Sequence, residues 1–169
     1  MVARAQFVLS VRPVRIGRGL VTSAAIPKGA TVTALAGRQR SAAGVLRLWR
    51  TDPRRAANCI RSGQDTYLDP GEHFGAFSNH SCRPNAMVIR ERGALFLRAL
   101  RRIPAGAEIT HDYATCLGAD DVWTMRCDCR EPGCRGRVER FDRLPAAVLR
   151  RYLAAGAIPR FILDTLEAE

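Results

Sequence analysis

Cys127-Asp128-Cys129-Arg130-Glu131-Pro132-Gly133-Cys134 places three thiols in C-x-C-x4-C spacing. Zinc in a structural site takes four ligands in a tetrahedron, so this segment is one short. Cys82, within Asn79-His80-Ser81-Cys82-Arg83-Pro84-Asn85, can supply the fourth from a distant part of the chain. A metal held that way pins a C-terminal flap over the centre of the fold, where an active site can be closed. Taken alone, the triplet also fits a redox centre or the zinc element of a nucleic-acid binder.

Two of the six cysteines, Cys59 and Cys116, fall outside this set. In a reducing compartment six cysteines do not form a disulfide framework. Buried apolar side chains or bystanders is the simplest reading of the pair. A catalytic thiol is the sharper one, but neither residue adjoins a His or a Gly-rich turn that would lower its pKa.

The 169 residues suit one domain with a real core. A hydrophobic content of 47% and a charged content of 25% are those of a soluble globular protein. No apolar run is long enough to span a bilayer. Residues 1–15 have neither the apolar core nor the cleavage site of a signal peptide. The expectation is a cytoplasmic protein with no membrane partner. The net charge is +11, and Lys28 is the only lysine among 27 basic residues. Such charge admits contact with nucleic acid or another polyanion. The arginines are nevertheless scattered, with only the pairs Arg54-Arg55, Arg101-Arg102 and Arg150-Arg151, which fits a solvated surface.

The elements that must position these residues are short. Phe7-Val11, Leu20-Ser23 and Ala30-Ala36 read as strands, punctuated by Gly17, Gly19 and Pro27-Lys28-Gly29. Ser41-Arg50 has helical spacing, and Asp52-Pro53 opens a second short helix through Cys59. Strands return at Ala86-Ile89, Ala94-Ala99 and Glu108-His111. Ile26-Pro27-Lys28-Gly29-Ala30 and Ile103-Pro104-Ala105-Gly106-Ala107 echo each other as Pro-initiated turns feeding strands. Pro145-Ala155 and Pro159-Glu167 read as helices, with Gly156 as the C′ residue between them. They fit packing on the domain and pairing of two chains equally well, so the oligomeric state stays open. The sum is a mostly β chain with short helices, an α+β fold.

Four pieces, in order, carry a family resemblance. Arg15-Ile16-Gly17-Arg18-Gly19-Leu20 is similar to a G-x-G strand-turn. Asn79 to Asn85 matches N-H-S-C-x-P-N. Glu108-Ile109-Thr110-His111-Asp112-Tyr113 resembles E-L-T-[FY]-D-Y. Cys127 to Cys134 with Arg135-Gly136 matches C-x-C-x4-C-x-G. The chain therefore resembles the SET-domain protein-lysine methyltransferases with a zinc-binding post-SET segment. The resemblance implies a β-clip fold with knot-like C-terminal threading, a rare exception to unknotted connections. It implies a SET domain over residues 1–116, a post-SET zinc segment over 117–140 and a C-terminal helical extension over 141–169. Residues 41–61 become the variable helical insert that shapes a peptide groove.

The resemblance also implies the chemistry: S-adenosylmethionine donates a methyl group to the lysine of a protein substrate, such as a histone or another DNA-associated basic protein. A free lysine has a pKa near 10.4, so about one in a thousand is neutral near pH 7.4. The site must offset roughly 4 kcal/mol by desolvating the amine and holding a cation beside it. Tyr113 takes the place of the catalytic tyrosine. Gly17, Arg18, Gly19, Tyr67, Phe77, Asn79, His80 and Tyr113 become cofactor residues, His80 through its backbone. The two glycines let backbone approach the cofactor; a plain β-turn fits them as well. Tyr67 and His111 line the lysine channel, although core packing also accounts for Tyr67 and Phe77. Cys82, Cys127, Cys129 and Cys134 become the zinc ligands.

Three positions depart from the family pattern. His111 stands where Phe or Tyr is usual and where the number of methyl groups is governed. Ala76 stands where Arg is frequent, which weakens that side of the cofactor pocket. Glu139 stands where some members have an aromatic that packs on adenine; Trp123 or Phe141 is the replacement considered. These departures favour a rival reading, a non-catalytic SET-like module that binds peptide or nucleic acid. A third is a zinc-stabilised nucleic-acid binder resting on the charge.

Overall fold

The computed structural model describes residues 7–166. The signal-peptide reading of residues 1–6 and the helix end at Glu167 lie outside the described residues. Among the described residues, five small sheets surround the core. β1 (Leu9–Pro13) pairs antiparallel with β2 (Arg18–Thr22). The expected strand Phe7-Val11 is displaced toward the turn. Gly17, at φ +65°, closes that turn by accepting the Val14 N–H at 3.0 Å, and this fixes the register Pro13↔Arg18.

β3 (Thr31–Leu35) enters a second sheet beside β9 (Ala94–Ala99), which also pairs with β8 (Ala86–Glu91). A third sheet, unread in the sequence, holds β4 (Arg38–Ser41), β6 (Thr66–Asp69) and β5 (Ile60–Arg61) in that order. Arg-Gln-Arg-Ser has no apolar alternation to betray a strand. A half-buried ion pair replaces it: Arg40 Nε donates to the buried Asp69 Oδ2 at 2.6 Å across the β4–β6 ladder. Between β4 and β5 run α1 (Ala42–Thr51) and α2 (Pro53–Ala57). Ser41 and Asp52 cap them, accepting the Gly44 and Arg55 N–H groups, and Pro53 opens the second as expected.

The two echoing turns meet in space. Ile26 and Ile103 exchange both backbone hydrogen bonds, at 2.8 and 2.9 Å, and each side chain is fully buried. Burying each is worth about 1.5–3 kcal/mol. They sit in one core with Leu20, Leu97, Ile109 and, from the far end of the chain, Phe141. β7 (Asn79–His80) pairs in parallel with β10 (Thr110–His111). β11 (Met125–Arg126) pairs with β12 (Arg137–Val138) around the cysteine segment.

α3 (Ala146–Ala155) ends at Gly156 in the left-handed region, as the C′ reading required. α4 (Arg160–Leu163) is shorter than Pro159-Glu167 and passes into a 3-10 turn at Asp164–Leu166. Tyr152 and Ile162 of these helices are buried in the same core as Leu20, so the helices pack on the domain. Among the described residues no helix is long and apolar enough to cross a membrane.

Candidate active site

The parallel pairing of β7 with β10 brings two sequence-distant motifs into register, Asn79 beside Thr110 and His80 beside His111. Asn85 holds the junction. Its Oδ1 accepts the Thr110 N–H at 2.9 Å, and its Nδ2 donates to the Glu108 carbonyl at 2.7 Å. Past β10, Asp112 caps the single turn Tyr113–Cys116 by accepting the Ala114 N–H. That turn aims the Tyr113 hydroxyl at the Ser78 carbonyl, to which it donates at 3.1 Å.

Tyr113, His111 and Tyr67 line one cavity of about 260 Å³, together with Ser78, Cys116 and Trp123. The His111 ring tilts against Tyr113 at 4.8 Å and pairs Nδ1 with Ser78 Oγ at 2.9 Å. Burial, helped by the neighbouring His80, pulls His111 down to about 4, so the ring is neutral. Burial drives Tyr113 well above the ordinary phenol range, so it stays a donor. Tyr67 is pushed up to about 12 by burial and then by Asp121, whose Oδ1 accepts its hydroxyl at 3.3 Å. The buried Arg61 joins the insert to this wall, with Nη2 on Asp120 Oδ2 at 2.9 Å and Nη1 on Asp121 Oδ2 at 3.1 Å. Cys59 and Cys116 border the same cavity. Burial raises their thiols to about 11 and about 12, which argues against a catalytic thiolate.

A second cluster gathers the remaining predicted residues. Asn79 Nδ2 donates to the Arg18 carbonyl at 3.1 Å and to Glu108 Oε1 at 2.7 Å. The Arg18 guanidinium lies over the Phe77 ring at 4.7 Å. Gly17, Gly19, Phe77 and Asn79 do not line the cavity, whereas Ala76 and Ser78 do. Ala76 therefore belongs to the Tyr113 side, not to the Arg18–Phe77 side. Gly19 also has a packing role. A Cβ there would fall 2.5 Å from Glu108 Oε1 and 2.8 Å from Val14 Cγ2, so the glycine makes room for Glu108.

Four side chains from two segments, His80, Cys82, Cys127 and Cys129, bring ligand atoms within 4.8 Å of one another. Cys134 joins them, its Sγ 3.6 Å from that of Cys127. The hydrogen bonding of His80 favours the four sulfurs over its ring as the ligand set. Its Nδ1 accepts the Tyr113 N–H at 3.2 Å, so the neutral ring carries hydrogen on Nε2, which faces Cys82 Sγ at 3.4 Å. Burial lowers His80 to about 4, which keeps it neutral. The Arg135 and Gly136 N–H groups point at Cys82 and Cys134 sulfur, at 3.5 and 3.4 Å. Cys134 is drawn down to about 7, first by the Gly136 N–H. Burial raises Cys82 to about 11, so a thiolate there requires a cation beside it. The donor set fits zinc held by Cys82, Cys127, Cys129 and Cys134.

Phe141 is a correction. It is 1% exposed in the main core and cannot stand in for the adenine-stacking aromatic. Trp123 instead lies against Tyr113, with ring centroids 6.3 Å apart. Sequence reasoning missed Ser78, Glu108, Asp112 and Arg135 as site residues. All four stand inside or beside the motifs already marked, but only their partners reveal their work.

Small sheets, a tyrosine at a parallel crossing and a cysteine cluster behind it that could hold a metal define a cleft-bearing class of mostly β protein. The chain belongs to the SET-domain family, whose profile matches residues 17–114, more than half of it. A histone-lysine N-methyltransferase specific for H3 lysine 4 from Debaryomyces hansenii is 35% identical over 83 residues, covering 46% of this chain and 8% of that protein. An H3 lysine-36-specific enzyme from Candida albicans is 35% identical over 101 residues, covering 56% and 12%. The chain thus spans only a small part of the length of these relatives. Among solved structures, KRYPTONITE in complex with mCHH DNA, an H3(1-15) peptide and SAH superposes with a TM-score of 0.60. The identity is 25%, over 79% of this chain and 30% of that one.

Proposed function

We propose that this protein methylates lysine side chains of a protein substrate, with S-adenosylmethionine as the methyl donor. One observation carries the reading: the Tyr113 hydroxyl is fixed on the Ser78 carbonyl at the wall of a cavity shared with His111 and Tyr67. S-adenosylmethionine supplies a methyl on a positively charged sulfur. The chain's own residues do the rest. The cavity strips water from the entering amine, which favours its neutral form. His111, uncharged, adds no repulsion to the amine. Tyr113, protonated, directs its oxygen at the reacting centre and limits the approach to one line.

Arg18, Phe77, Asn79 and the backbone of His80 are assigned to the donor, with Gly17 and Gly19 shaping that side. Zinc at the four cysteines closes the flap that carries Trp123. The relatives act on histone H3, which supports a basic, DNA-associated tail as substrate, on chromatin or a nucleoid. The net charge of +11 and the DNA in the KRYPTONITE complex support accompanying nucleic-acid contact.

The test is transfer of labelled methyl from S-adenosylmethionine to a pool of native proteins and to core histones, followed by mapping of the modified residue. Label on lysine Nζ is expected. Absence of donor binding in a calorimeter would leave only the scaffold reading. Lys28 is the sole lysine of the chain, so self-labelling is confined to one position.

A further inference from the structure

Asp112 stands where three segments distant in sequence cross. Its Oδ1 accepts Arg135 Nη2 at 2.7 Å and the Ala114 N–H at 3.1 Å. Its Oδ2 accepts the Tyr152 hydroxyl at 2.9 Å. Asp112 and Tyr152 are each 1% exposed. Arg135 follows directly on the cysteine segment. Tyr152 lies on α3, outside the residues matched by the family profile. Asp112 itself caps the turn that begins with Tyr113.

We propose that Tyr152 is a positioning residue. Through Asp112, α3 sets the turn that carries Tyr113, which makes the C-terminal helix part of the methyl-transfer apparatus. A buried carboxylate keeps one orientation only while both oxygens are bonded. Without the Tyr152 hydroxyl, Oδ2 has no fixed partner. The carboxylate then turns toward Arg135, and its capping bond to Ala114 loosens. The Tyr113 oxygen shifts with the turn. Methyl transfer depends steeply on alignment, whereas Asp112 is assigned no contact with donor or peptide. The inference rests on the methyl-transfer reading for its effect on rate, but not for the coupling itself.

The experiment uses the full chain carrying Tyr152→Phe, which removes one oxygen and keeps the ring. Turnover is expected to fall about tenfold at unchanged KM and donor affinity. Amide exchange at Ala114 and Thr115 is expected to quicken, with zinc content unaltered. Arg135→Lys, which keeps a cation near Oδ1, is expected to recover much of the turnover lost in Arg135→Ala. Leu153→Ala, on the exposed side of the same helix, is expected to leave turnover unchanged. A lower melting temperature with unchanged kcat and unchanged Ala114 exchange would reduce Tyr152 to a structural tether and overturn the proposal. If the unmutated protein transfers no methyl, the methyl-transfer reading fails by itself. Exchange at Ala114 then decides the coupling, and unchanged exchange overturns it.

Discussion

His80 Nε2 faces the sulfur of Cys82 across 3.4 Å, while its Nδ1 takes the backbone hydrogen of Tyr113. One buried ring thus ties the metal cluster to the residue assigned to catalysis. A neutral ring that accepts at Nδ1 carries its hydrogen on Nε2, which favours the four sulfurs over His80 as zinc ligands.

Metal content is the direct check. Cys134→Ser is expected to lose most of the zinc on dialysis, whereas His80→Gln retains about one atom per chain. The opposite pattern would assign the site to His80, Cys82, Cys127 and Cys129. Chelation of the unmutated protein is expected to expose the 117–138 segment to protease before the main core unfolds, since that segment packs mainly around the sulfurs.

Tyr113→Phe is expected to cut kcat by roughly a hundredfold or more while donor affinity stays within about twofold. The ring and its contacts with His111 and Trp123 survive the change. The Ser78 carbonyl loses its donor, so stability should fall by about 1 kcal/mol, read by chemical denaturation. Unchanged turnover would remove Tyr113 from the reaction.

Gly19→Ala and Gly17→Ala separate two kinds of glycine. At position 19 the added carbon meets the Glu108 carboxylate, which is held by Asn79 and cannot swing away freely. A loss of about 1–3 kcal/mol is expected, with weakened donor binding as Asn79 shifts. At position 17 the space is open and only the positive φ opposes alanine. The loss there should be nearer 1 kcal/mol. Equal losses would contradict the packing argument.

Acid sensitivity follows from His111. Its folded pKa of about 4 lies below the ordinary value of 6.5, so the unfolded chain takes up the proton first as pH falls. The stability tied to neutral His111 is complete above about pH 6.5 and disappears progressively toward pH 4. It amounts to on the order of 3 kcal/mol at most. Denaturation midpoints measured at pH 7 and pH 5 should therefore converge in His111→Phe relative to the unmutated protein. If both proteins lose the same stability over that interval, the ring is not buried neutral.

Much of the site could be read from residue order alone. The C-x-C-x4-C run advertises its chemistry through residue types at fixed spacing, whereas the N-H-S-C stretch and Tyr113 were marked by the family resemblance, and Asp112 was assigned a role by neither. Turn residues were equally legible, because Gly17, Pro53 and Gly156 act on their own backbone. β4 and β6 were not, since their sheet is knit by Arg40 and Asp69, and a cross-strand ion pair leaves no periodic trace in either strand. The position of β1 was misjudged because register belongs to a turn and its partner strand together.

The sequence by itself determined which atoms are on hand: four sulfurs, a phenol, a ring nitrogen and glycines at the tight places. Only the tertiary structure decided what each atom meets. One nitrogen of His80 meets the Tyr113 N–H and the other faces Cys82, Glu108 lies against Gly19, and Tyr152 reaches Asp112 from 40 residues away. Such roles arise from contacts between segments far apart in the chain. A hydrogen bond is a property of two groups in space, and neither group's neighbours in sequence encode the other.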